Sequence, residues 1–226
     1  RLNGLWNLSC SSAILDPAIL SDLVKNGFYI NQCYSMTELA GYGLLNIAQE
    51  GEHLRALGKP DGFCEIKLDE TGEICVRGDA VMLGYYKKPE ASHAVLDKDG
   101  WFHTGDLATI DAEGHVFIRG RIKNMLLSAN GQNIYPEEIE NKLNSMMMVN
   151  ESVIIQRDNK LVGLVHPDMD AAKQLGFSIG DLGDVMEENR KQLNSLLPAF
   201  CKVSAIQIHE QEFEKTPKKS IKRYLY

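Results

Sequence analysis

Several features that would declare a chemistry at once are missing. There are five cysteines in 226 residues, and no two form a C-x-x-C pair. Cys10, Cys33, Cys64, Cys75 and Cys201 are odd in number and scattered, which argues against a disulfide frame or zinc site and for a reducing cytoplasm. The six histidines lack metal-like spacing, and His103 and His115 read as solvated loop residues. Positive charge is not in excess. The formal net charge is −7, so global attraction to nucleic acid is not expected. No apolar run approaches the ~20 residues of a membrane span, and a cytoplasmic location with room for peripheral membrane contact is expected. An initiating methionine is absent too: the sequence opens at Arg1 on a strand approach, and a longer parent chain is expected.

What is present falls into three textures. The first fifty residues read as strand, helix, strand. Asp16 and Pro17 open the helix, Ile19, Leu20, Leu23 and Val24 form its apolar face, and Gly27 closes it. The strand FYINQCY then ends in the polar turn SMTE, at the strand edge where doubly wound sheets bind ligands. From Leu57 to about Gly120, short alternating runs separated by Gly/Asp turns predict an antiparallel β module. Beyond it, NMLLSA suggests a hairpin arm. PEEIENKLNSM predicts an amphipathic helix with Ile139, Leu143 and Met146 or Met147 on one face. Three strands and a second helix, roughly Leu182 to Leu197 before Pro198, complete an α+β domain. The expected fold is therefore the end of a doubly wound α/β sheet domain with a β module, residues 1–120, and a small α+β domain, 125–226. Residues 121–124 lie between them as a hinge.

Candidate site residues cluster at the turns. Thr37 and Glu38 place a hydroxyl beside a carboxylate at a strand end, a pairing suited to Mg²⁺, which takes few protein ligands. Tyr34 offers a ring for a purine. Asp106 follows a glycine turn, where a carboxylate can accept from paired ribose hydroxyls. Arg121 and Lys123 would share a face if their segment is extended. Gly131 supplies freedom for positive φ or close passage of a ligand. Each has a plain alternative: an ordinary turn, a charged edge strand, a loop before a helix. The segment Thr71–Ser92 reads mostly as scaffold.

Their order and spacing together resemble the adenylate-forming superfamily of acyl-CoA synthetases, aryl-CoA ligases, luciferases and peptide-synthetase adenylation domains. YSMTE is similar to the family's Tyr-Gly-x-Thr-Glu, and GEICVRGDAVMLGYYKKPEAS to its Gly-Glu block. GWFHTGDLATIDAEGHVFIRGRIKNML resembles its Thr-Gly-Asp to Gly-Arg block, and NIYPEEIE the entry to its small C-terminal domain. The resemblance implies an enzyme that activates an acid with ATP and Mg²⁺ to acyl-AMP and passes the acyl group to CoA. It implies that Asp106 binds ribose, Arg121 assists, Tyr34 stacks on adenine, and Thr37 and Glu38 hold phosphate and Mg²⁺. Lys123 becomes the hinge about which the small domain swings, and the Gly131 loop lines a thiol tunnel. SSAIL, with Ser12 and Ala13, aligns with the adenine segment Gly-Gly-Ala-Pro-Leu but departs at both glycines and the proline.

The tail EFEKTPKKSIKRYLY resembles bacterial long-chain fatty acyl-CoA synthetases, so a fatty acid is the expected substrate. Aligning Thr216, Pro217, Ile221, Lys222 and Arg223 puts Ser220 where the family carries a catalytic lysine, and Lys219, one residue away, is the expected substitute. The family's phosphate loop and most of its acyl pocket are not in the sequence, so the chain alone is expected to be inactive. Two other functions stay open: an adenylation enzyme that loads a carrier protein, and a degenerate nucleotide-binding homologue.

Overall fold

The structure is a computed structural model that describes residues 6–11, 15, 17–46, 56–60, 62–217 and 219–226. It divides into two compact units, Arg1–Lys123 and Asn124–Tyr226. Among the described residues no helix is long and apolar enough to cross a membrane.

The first unit opens with a parallel crossover. Strand β1 (Asn7–Ser11) and strand β2 (Tyr29–Ser35) pair in parallel through helix α1 (Pro17–Lys25). Pro17 starts the helix because its missing N–H would have no partner there, and Gly27 turns the chain at φ +84°. Asp16, the expected cap, lies outside the described residues. Leu20 is buried as expected, but Ile19 faces outward at 55% exposure. Strand β3 (Gly43–Asn46) returns antiparallel to β2 after a 3-10 turn at Thr37–Leu39.

The β module follows as four antiparallel strands in sequence order: β4 (Glu65–Leu68), β5 (Glu73–Arg77), β6 (Phe102–Ile110) and β7 (Val116–Arg121). Two aspartates close its turns by accepting backbone N–H groups that would otherwise be orphaned. Asp69 takes Thr71 and Glu73, and Asp111 takes Glu113 and His115. The segment read as scaffold contains a short helix α2 (Pro89–His93), opened by its proline. Ile74, Val76, Phe102 and Val116 pack in one cluster with Leu39 and Leu44, so the small sheet and the β module share a core.

The second unit begins with the expected hairpin, β8 (Leu126–Leu127) against β9 (Asn133–Ile134). Helix α3 (Pro136–Asn144) then buries Ile139 and Leu143. Met146 packs against the core, whereas Met147 is 53% exposed. Strands β10 (Val149–Arg157) and β11 (Lys160–Pro167) form an antiparallel hairpin. Two helices follow where one was expected. Helix α4 (Met169–Leu175) is capped by Asp168, whose carboxylate accepts from Ala171 N, and ends at Gly176 with φ +74°. Helix α5 (Ile179–Ser195) starts earlier than Leu182 because Ser178 and Asp181 form a reciprocal capping box. Strand β12 (Val203–Ile208) then adds parallel to β11. Leu143, Val165, Leu182, Met186 and Leu193 fill the core.

Gly43 is the tightest backbone approach among the described glycines of the first unit. A Cβ there would fall on the Tyr34 carbonyl across the β2–β3 pair. Gly43→Ala must push the strands apart and move Tyr34. Urea unfolding should show a loss of at least the ~1–3 kcal/mol of ordinary overpacking. An unchanged midpoint would refute this packing.

Candidate functional site

Both candidate clusters of the first unit depend on the carboxyl end of β2. Tyr34 is its penultimate residue, and Thr37 and Glu38 form the turn that follows. Thr37 is exposed and Glu38 half-buried. The Glu38 carboxylate accepts from Tyr85 Oη at 2.9 Å, while its backbone carbonyl accepts from Met82 N at 2.8 Å. The turn is thus fixed to the segment carrying the GYY sequence. A hydroxyl and a carboxylate on an accessible turn are hard oxygen donors. They fit Mg²⁺, whose remaining positions water and phosphate would fill.

Asp106 is presented by an irregular strand. Glu73 pairs with Leu107 and Cys75 with His103, so two steps along β5 answer four along β6. The excess is taken up at Thr104–Asp106, with Gly105 at φ +75°. Such bulges re-aim a side chain. Thr104 Oγ1 donates to the Ile74 carbonyl and accepts from Asp106 N. Glu73 Oε1 accepts from Gly105 N at 2.7 Å, holding the bulge from below. Asp106 itself is 4% exposed. Its Oδ2 accepts from Tyr34 Oη at 2.7 Å, and its Oδ1 pairs with Arg121 Nε at 2.6 Å across β6–β7. Burial, and then the charge of Asp106, pushes the Tyr34 phenol well above its usual range, so the hydroxyl keeps its proton and donates. Tyr34, Asp106 and Arg121 therefore come together. Ser12 and Ala13 lie outside the described residues.

Lys123 departs from its expected setting. It sits exposed in a 3-10 turn at Ile122–Asn124, not on an extended face with Arg121, which ends β7. The histidine reading also needs correction. His103 belongs to β6, and its Nδ1 lies 2.9 Å from Glu73 Oε2. His115 is largely buried and 3.1 Å from Asp111 Oδ2. Asp69, Glu73, Cys75 and His103 bring potential ligand atoms within 4.8 Å of one another. Spacing gave no sign of this because a turn and two strands supply them. Burial, with help from Glu73, pushes the Cys75 thiol up to about 11, so at neutral pH it is a thiol rather than a ready thiolate ligand. The group works as support for the bulge under Asp106. Glu73 is the residue that sequence reasoning missed: its place in GEICVRG was read as scaffold.

In the second unit Gly131 has φ +73° in an exposed turn closed by its N–H to the Ser128 carbonyl, the backbone freedom the sequence called for. The tail is not extended. Lys215 bridges Ile221, Thr216 N donates to Ser220 O, and Lys219 N donates to Thr216 O. Lys219 is exposed at φ +60°, a left-handed conformation uncommon outside glycine. Lys222, which an extended tail would have placed beside Ser220, is paired with Glu214 at 3.0 Å.

Comparison with known proteins places this geometry. Residues 123–225 match the AMP-binding enzyme C-terminal domain. A feruloyl-CoA synthase of Amycolatopsis sp is 39% identical over 153 residues, which is 63% of this chain and 31% of that protein. A long-chain-fatty-acid–CoA ligase of Salmonella typhimurium is 40% identical over 124 residues, 50% of this chain and 22% of that one. The o-succinylbenzoate CoA synthetase of Bacillus subtilis, solved with its acyl-adenylate intermediate, superposes with a TM-score of 0.77 at 25% identity, covering 96% of this chain and 45% of that chain. Residues 123–225 are thus similar to the C-terminal domain of AMP-binding enzymes and the chain to acid–CoA ligases, and it spans about a third or less of the length of the curated relatives it matches.

The Tyr34–Asp106 bond should be measurable as a coupling. In a double-mutant cycle of Tyr34→Phe and Asp106→Asn, unfolding free energies should reveal an interaction of about 1.5–3 kcal/mol, the range for a hydrogen bond to a charged group. Additive effects would contradict the bond.

Proposed function

We propose that this chain serves an ATP-dependent acid–CoA ligase, with a fatty acid as substrate. The observation that carries the reading is the buried Asp106 carboxylate, raised on a bulge and oriented by Tyr34 and Arg121. A carboxylate so fixed is a preorganised acceptor for the paired hydroxyls of a ribose. The partly buried ring of Tyr34 would flank the base, and Arg121, with its side chain 49% exposed, would reach ribose or phosphate oxygens.

In the first half-reaction the substrate carboxylate attacks the α-phosphorus of ATP. An acyl–phosphate bond forms, the bond to the leaving pyrophosphate breaks, and acyl-AMP results. Thr37 and Glu38 would hold Mg²⁺, which when bound neutralises charge on the phosphates. Lys219 would place its ammonium against the negative charge growing at the reacting oxygens. In the second half-reaction the CoA thiol attacks the acyl carbon, loses its proton, and AMP leaves. The 3-10 turn containing Lys123 would be the hinge that exchanges the two sets of groups around one adenylate, bringing the Gly131 loop into place.

The fatty-acid assignment rests on the tail sequence and on the likeness to a long-chain ligase, and a feruloyl-CoA synthase matches at similar identity. A second reading is favoured by one specific observation. Ser220 occupies the position of the family's lysine, as it would in a degenerate nucleotide-binding homologue.

Pyrophosphate exchange by the full-length protein should be strongest with fatty acids in a panel that includes aryl and amino acids. Exchange with an aryl acid alone would overturn the substrate class, and no exchange with any acid would favour the degenerate homologue. Lys123→Pro removes an N–H and fixes φ. It should slow one half-reaction at least about tenfold more than the other, a differential barrier of roughly 1.4 kcal/mol. Equal losses in single-turnover assays of the two steps would remove the hinge role.

A further inference from the structure

One buried ion pair organises the tail of the second unit. Glu140 projects from α3 and is 6% exposed. Its Oε1 accepts from Ile154 N in β10 at 2.6 Å and from Arg223 Nη1 at 2.7 Å, while Oε2 pairs with Arg223 Nη2. The contact is a fork: two parallel donors on two acceptors, which fixes orientation as well as distance. Around it the chain is closed at several points. Glu214 N donates to Tyr226 Oη at 2.8 Å, and the Tyr226 ring stands edge-on to Phe213, which is 2% exposed. Lys222 pairs with Glu214, and the Lys215–Ile221 bridge closes the base of the loop that carries Lys219.

The same helix reaches the start of the unit. Glu137, one turn before Glu140, accepts from Asn124 Nδ2 through its Oε1 at 2.5 Å. Asn124 directly follows Lys123. Helix α3 therefore binds the first residue of the unit by one carboxylate and the tail by another, three residues apart on one face.

We propose that Glu140 and Arg223 are positioning residues for the tail lysine, and that α3, through Glu137 and Glu140, ties the Lys219 loop rigidly to the residue at the hinge. This rests on the ligase reading for the role of Lys219 and adds to it the device that places that lysine. Holding down four terminal residues does not require a buried charge pair, since a well-packed apolar pair does it as well or better. What a fork adds is a fixed direction for the chain leaving it, and Lys219 lies four residues upstream. The left-handed conformation of Lys219 fixes that direction one step further.

The test uses the full-length protein with Glu140→Gln and, as a milder variant keeping the positive partner, Arg223→Lys. Three quantities are read: pyrophosphate exchange, thioester formation from synthetic acyl-adenylate and CoA, and the rate of trypsin cleavage after Lys219. Misplacing a reacting group by about 1 Å costs up to ~10²-fold, so exchange should fall about 10–100-fold in Glu140→Gln and less in Arg223→Lys. Thioester formation should stay within about twofold, because a residue used only in the first step leaves the second intact. Cleavage after Lys219 should be several-fold faster. Unchanged exchange, or equal loss in both half-reactions, overturns the proposal and leaves a merely structural pair. If wild-type protein shows no exchange with any acid, it is the ligase reading that fails. The clamp then stands on faster trypsin cleavage in Glu140→Gln and falls if cleavage is unchanged.

Discussion

The carboxylate of Asp106 is the point on which the first unit is organised. It belongs to the β module, yet one of its oxygens is held by Tyr34 from the neighbouring small sheet, and the other by Arg121 from the next strand. A buried carboxylate without such donors would be strongly penalised. With them it ties two sheets together and acquires one orientation. The rest of the unit follows from that demand. The bulge in β6 exists to turn Asp106 inward, Gly105 supplies the positive φ the bulge needs, and Glu73 anchors it through Gly105 N and His103. Gly43 lets β3 pass close enough to keep Tyr34 in place.

The second unit repeats the logic with a different acid. Glu140 is buried, takes a backbone N–H from β10, and is neutralised by a forked Arg223. In the first unit the carboxylate that would be costly if unpaired is the proposed functional group itself, and in the second it fixes the tail whose loop bears one. Removing either partner leaves a charge uncompensated in a poorly solvated place, and breaking such a pair is far more damaging than never having built it.

Much of the architecture was legible because it is local. The Pro and Gly boundaries of α1, the hairpin after the junction, the Pro136 start of α3 and the alternating strands of the module all rest on residues a few positions apart. Helix α4 escaped notice because Asp168 and Gly176 bracket only seven residues, too few for a periodic apolar face to stand out. The site was legible in part. Asp106 and Arg121 read as a pair of motifs, but nothing in their spacing reveals Tyr34 as the donor to Asp106, since that bond joins residues 72 positions apart. Glu73 and His103 were misjudged for the same reason. Their partners come from other strands, and a bulge shifts the register that simple alternation would assign. Lys123 would share a face with Arg121 only in an extended segment, and nothing in Arg-Ile-Lys-Asn marks the 3-10 turn that takes its place.

On the proposed reading, Asp106 is held in place to receive ribose hydroxyls. Calorimetric titration of the full-length protein with ATP and with 2′,3′-dideoxy-ATP tests this directly. Wild-type protein should bind ATP about tenfold or more tighter, as expected when hydrogen bonds to a charged acceptor worth ~1.5–3 kcal/mol are lost. Asp106→Ala should abolish the preference. Equal affinity of wild-type protein for the two nucleotides would contradict that reading, and would leave Asp106 as no more than the bond between two sheets.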